Sequence, residues 1–135
     1  MKKTITKILT AAILLTALCF SLAACGKKAI TISGTYIIGD ENAIASTELS
    51  FNKNKLTYTQ TIDYSFSTPG ASKETIVTNL TYEINKSKDK IIIYSDKSFP
   101  GVADTKGTDG RYFSEHSLEI TDDYIKINNV TYNKK

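Results

Sequence analysis

The stretch Leu56-Thr57-Tyr58-Thr59-Gln60-Thr61-Ile62-Asp63-Tyr64-Ser65-Phe66 decides the fold. Its even positions carry large side chains, with Gln60 the one polar exception, and its odd positions carry only Thr, Ser or Asp. An extended chain turns alternate side chains to opposite faces, and β-branched and aromatic residues suit that conformation. A helix would scatter the same large residues round every face. The stretch therefore predicts a strand with one apolar and one polar face.

The same period recurs on the C-terminal side. Ile76, Leu80, Tyr82 and Ile84 share one parity, with Asn79 and Glu83 on the other, and Tyr112, His116, Leu118 and Ile120 fall together in a later run. Shorter runs are Ile91-Ile92-Ile93-Tyr94, Tyr124-Ile125-Lys126-Ile127 and Val130-Thr131-Tyr132. Asn- and Asp-rich segments separate them, as turns require. The pattern predicts eight strands over 30–38, 46–51, 55–66, 74–85, 90–95, 111–121, 124–128 and 130–133. Connections this short cannot hold crossover helices, so neighbours pair antiparallel. The expected fold is all-β, a small antiparallel up-and-down barrel of about eight strands, because closure removes the exposed edges. A β-sandwich is the alternative. In an up-and-down order the short turns 52–55, 85–90 and 121–124 share one end, and the longer loops 39–46, 67–73 and 95–110 share the other.

Ahead of the strands lies a different kind of segment. Lys2, Lys3 and Lys7 precede an almost wholly apolar run from Ile8 to Leu22, which is shorter than the roughly 20 residues a spanning helix needs. A basic start and a short apolar run predict a helical signal peptide. The run ends in Leu22-Ala23-Ala24-Cys25-Gly26. This resembles the bacterial lipoprotein signal, whose lipobox reads Leu, a small residue, Ala or Gly, then Cys. The resemblance implies cleavage between Ala24 and Cys25, a diacylglycerol (palmitate-type) thioether on Cys25, and anchorage at the extracytoplasmic face of the cell membrane. Two acyl chains hold where one is marginal, each buried methylene contributing about 0.8 kcal/mol. The organisation then reads 1–24 signal peptide, 25–29 lipid-anchored tether and 30–135 barrel domain. Lys27 and Lys28 follow the anchor, where each would add about 1 kcal/mol on anionic lipid. Residues 30–133 resemble the small lipocalin-like barrels of bacterial lipoproteins. Gly34-Thr35-Tyr36 stands on the first strand where lipocalins carry Gly-x-Trp, with tyrosine in place of tryptophan.

Composition narrows the function. With 135 residues, 41% hydrophobic and 23% charged, the chain is sized for one globular domain and excludes collagen-like, coiled-coil and large multidomain classes. Of its 2 cysteines, Cys19 lies in the leader and Cys25 is the lipid site. The mature domain therefore has no disulfide, cysteine metal ligand or thiol nucleophile. Loss of Lys2, Lys3 and Lys7 from the 17 basic residues brings them level with the 14 acidic ones. A neutral domain lacks the electrostatic drive for nucleic acid, and none is expected as a partner.

Few residues suggest chemistry. His116 is the only histidine and no other side chain helps it form a metal centre, so neither metal nor cofactor is expected. Ser50-Phe51-Asn52-Lys53 and Ser87-Lys88-Asp89-Lys90 fit the Ser-x-x-Lys of penicillin-recognising enzymes, but both sit at strand ends or turns rather than on the helix that chemistry requires. Asp104 to Gly110 has some acidic character of a calcium loop, yet Lys106 stands among its would-be ligands and a plain turn is expected. The loop 95–110 is long for its size, and its Phe99 and Val102 are candidate contacts for a protein or cell-envelope partner. The competing expectation is that this tip folds back to plug the barrel. The function expected is non-catalytic binding or shielding at the bacterial cell surface by a monomer, through loops distal to the membrane. A cell-envelope hydrolase using paired carboxylates is the alternative. A carrier of small hydrophobic ligands is the third reading, and it requires an interior cavity of about 300 Å³ or more.

Overall fold

Alternating side chains become strands wherever the sequence shows the period. The computed structural model describes residues 28–40 and 43–135. Its strands are β1 Gly34–Ile38, β2 Ala45–Asn52, β3 Lys55–Asp63, β4 Lys73–Ile84, β5 Lys90–Ser95, β6 Thr105–Lys106, β7 Tyr112–Ile120, β8 Tyr124–Ile127 and β9 Val130–Lys134. Consecutive strands from β1 to β5 pair antiparallel, β5 pairs β7, β7 pairs β8, β8 pairs β9, and β9 returns to β1. Eight strands thus close into a barrel rather than splitting into a sandwich. The two-residue β6 lies outside this ring, against Tyr112 and Phe113 of β7.

Two boundaries differ from the sequence reading by more than one residue, and one short strand is additional. The first strand begins at Gly34 instead of residue 30, because Gly34 adopts φ +109, a conformation that breaks extended backbone and that glycine tolerates. The third strand stops at Asp63, whose Oδ1 accepts the Ser65 N–H at 2.9 Å and the Ser65 hydroxyl at 2.6 Å. That local bond turns Tyr64–Phe66 into a single 3-10 turn. β6 is too short to leave a periodic signal. Asn128 and Asn129, with φ of 47 and 66, form the two-residue turn between β8 and β9 that matches the twist of paired strands.

One parity of each long strand fills the barrel. Tyr36, Leu49, Phe51, Leu56, Leu80, Tyr82, Ile91, Ile93, Leu118, Ile125 and Ile127 form a single buried cluster, joined by Ile32 from the lead-in segment. The Phe51 ring meets Tyr36 and Tyr82 edge-on at 6.0 and 5.1 Å. Full burial of such side chains is worth roughly 1.5–3 kcal/mol each, and they are the main source of stability here.

The barrel has two unlike ends. The turns after β2, β4 and β7 share one end, and the connections after β1, β3, β5 and β8 share the other. Ile32 closes the short-turn end. Its N–H donates to the Tyr82 hydroxyl at 2.8 Å, and that hydroxyl donates to the Lys53 carbonyl at 2.6 Å. The segment expected to be a signal peptide, with Ala24 and Cys25, lies outside the described residues.

Candidate functional site

Stagger between strands creates the most distinctive surface. β4 pairs with β3 from Lys73 to Thr81 but with β5 only from Thr81 to Ile84. The upper half of β4 therefore stands past the end of β5 as the outer edge of a finger at the long-connection end, backed by β3 and by β2, which pairs with β3 as far as Ile62. Asp63 and Lys73 hold the finger's upper end with an ion pair at 3.7 Å, and the Thr61 and Thr75 hydroxyls meet at 3.3 Å. The Ser65 hydroxyl and backbone bonds, followed by the Lys73 charge, hold the Asp63 carboxyl below its usual range.

This finger exposes apolar side chains on both of its faces and at its tip. Ile76 is 47% exposed, Val77 58% and Phe66, at the finger's tip, 68%. Ile44 and Tyr64 are exposed on the same end, as are Ile38 and Val130. Among the described residues, the one large apolar side chain exposed at the short-turn end is Ile120. The parity of Ile76 with Leu80 and Tyr82 pointed to an interior position, and it does lie on the concave side of β4. It is open because no strand of the ring continues beside it.

The sequence-predicted contacts lie elsewhere. Phe99 and Val102 are half-buried against the core, and the Phe99 ring meets Tyr58 perpendicularly at 5.1 Å. A tight turn draws the loop inward: the Phe99 N–H donates to the Ala103 carbonyl at 2.8 Å, and Ala103 is wholly buried. The loop thus covers the barrel mouth as a plug. His116 fastens it. Asn128 Nδ2 donates to His116 Nδ1 at 2.7 Å, so the ring hydrogen sits on Nε2 and is given to the Val102 carbonyl at 2.9 Å. Both ring nitrogens are engaged in structure, and Asn128 Oδ1 also accepts the Ser117 N–H at 3.1 Å.

Beneath the plug is a cavity of about 140 Å³, lined by Leu49, Leu56, Tyr58, Ile93, Val102 and Tyr132 among others. Ligand pockets for small molecules generally run from about 300 Å³ upward. The other sequence candidates do not converge on a point. The Asp104 carboxylate accepts the Ser114 hydroxyl at 2.7 Å and the Gly101 N–H at 3.3 Å, whereas Asp109 pairs with Arg111 at 2.9 Å. These hydrogen bonds lower both carboxyls below their usual range. Lys90 of the second Ser-x-x-Lys pairs with Glu115 at 2.6 Å, and Ser50 of the first meets Thr35 at 3.2 Å. Among the described residues no group of three His, Cys, Asp or Glu is placed to hold a metal ion. The chain matches no protein-family model, no curated protein and no solved structure.

Proposed function

We propose that the protein is a lipid-anchored extracytoplasmic lipoprotein whose barrel carries a non-catalytic binding surface, the β3–β4 finger, away from the bacterial membrane. The lipobox Leu22-Ala23-Ala24-Cys25 supplies the anchor. The observation that carries the reading is the opposition of the two ends. Ile32 is pinned into the short-turn end, while the exposed apolar residues Phe66, Ile76 and Val77 stand at the opposite one. From Cys25 to Ile32 a fully extended chain spans about 25 Å at most, so an anchored barrel keeps its short-turn end near the bilayer. Apolar side chains that protrude from a polar rim mark a contact surface. The surface invites association with a protein or other envelope component rather than catalysis.

Site-specific photo-crosslinking in intact cells tests this reading. A photoreactive residue at Asp122, in the turn after β7, is expected to form adducts with lipid. The same residue at Phe66 is expected to form adducts with a protein or wall component. Lipid adducts from position 66, or the reverse of the two patterns, would overturn it.

A further inference from the structure

The main-chain hydrogen-bond phase of β4 identifies what the finger can hold. The Tyr82 N–H donates to the Asn54 carbonyl at 3.0 Å, which turns the even residues of β4 toward β3. Antiparallel pairing alternates that direction, so Thr75, Val77 and Asn79 aim their N–H and C=O groups at the other side. Further down, Thr81 and Glu83 spend the same groups on Tyr94 and Ile92 of β5. Above Thr81 no strand among the described residues lies on that side. Three donors and three acceptors therefore face solvent in one straight row.

We propose that this row, at Thr75, Val77 and Asn79, is a docking site for an extended segment of a partner protein, which adds to the finger as an antiparallel strand. The inference deepens the reading of the finger as the binding surface and rests on it. Free edges are ordinarily guarded by lysine, proline or a bulge, and Thr75-Ile76-Val77-Thr78-Asn79 carries none of these. A polypeptide strand is the ligand whose repeating donors and acceptors match the row, whereas alternate side chains select its sequence. The incoming strand continues the line of β5, which ends at Ser95 directly below. A recess of about 130 Å³ at the foot, bounded by Asn79, Leu80, Ser95 and Asp96, seats its first side chain. A second copy of the chain fits less well. Antiparallel pairing of two β4 edges needs fingers that point in opposite directions, and copies anchored in one bilayer point the same way.

The test uses the acylated protein in lipid nanodiscs and a displayed library of linear nine-residue peptides. The expected result is recovery of peptides with alternating β-branched residues. Such a peptide slows amide exchange at Thr75, Val77 and Asn79 by about tenfold or more, and leaves Ile76 and Thr78, already bonded to β3, unchanged. Val77→Pro removes an N–H on the open side alone and is expected to weaken peptide capture at least about tenfold while the melting temperature holds. Val77→Lys, which guards the edge without touching the backbone, gives the same loss should the proline variant fold poorly. Failure to recover peptides, or peptides that bind without slowing those three amides, overturns the proposal. If capture survives Val77→Pro but is lost in Phe66→Ser, the finger remains the binding surface and only the edge is excluded. Slowing that grows with protein concentration alone assigns the edge to a second copy instead.

Discussion

Tyr82 does more for the account than any other single side chain, because its hydroxyl ties the lead-in segment to the barrel. Tyr82→Phe keeps the ring beside Phe51 but leaves the Ile32 N–H and the Lys53 carbonyl without their partner. Orphaned buried groups cost roughly 1–3 kcal/mol, so a fall in melting temperature is expected together with faster amide exchange at Ile32. An unchanged exchange rate there would mean the segment is held by other contacts. Burial also pushes the Tyr82 hydroxyl above its ordinary value of 10.0, and burial together with the neighbouring Tyr58 does the same to Tyr132. The native state therefore holds these protons more tightly than the unfolded chain. Their contribution is intact below about pH 10 and is lost as pH climbs through the raised values. Denaturant midpoints should be level from about pH 7 to 9 and fall by about pH 11; a flat profile to that point contradicts the burial of both hydroxyls. At this scale the sequence is informative about composition and poor about partners. Eight tyrosines in a strand-rich chain announce buried rings, but which hydroxyl would meet Ile32 depends on a contact across fifty positions.

Among elements, β3 was the most legible, since its alternation is nearly complete from Leu56 to Ile62. β4 shares that clarity of period and yet conceals its role. Alternation tells which face a residue occupies, but the offset between neighbouring strands decides whether that face is covered. Ile76 and Leu80 lie on one face, and only Leu80 is buried. The plug was legible as a long loop with an apolar Phe99-Pro100-Gly101-Val102 segment, although sequence alone left open whether it pointed outward or in. Its inward packing carries a prediction. Phe99→Ala removes a half-buried ring from Tyr58 and should cost about 2 kcal/mol, less than the full-burial range for such a change. The cavity beneath it should enlarge enough for an environment-sensitive hydrophobic dye to bind, read as a rise in dye fluorescence in the variant. Unaltered stability and no dye binding would show that the loop does not seal the barrel.

The whole molecule is organised by closure and by the difference between its ends. Short turns favour antiparallel neighbours, so a barrel could be anticipated from turns and periodicity, whereas the β9–β1 pairing that closes it in place of a sandwich is seen only in the structure. Loop lengths already distinguished the two ends, but the finger follows from the stagger of the strands, which no local pattern encodes, and it was accordingly invisible in sequence. The proposed leader shows the opposite balance: the Leu22-Ala23-Ala24-Cys25 motif is legible in the sequence, and it lies outside the described residues. Attachment at one end and apolar exposure at the other give the barrel a direction only if an acyl anchor fixes it to the bilayer. Mass spectrometry of the protein purified from its native host tests that claim most directly. The account predicts that the mature chain begins at Cys25 and carries a diacylglycerol thioether mass on that residue. A mature chain that begins elsewhere, or that carries Cys25 with a free thiol, would contradict it.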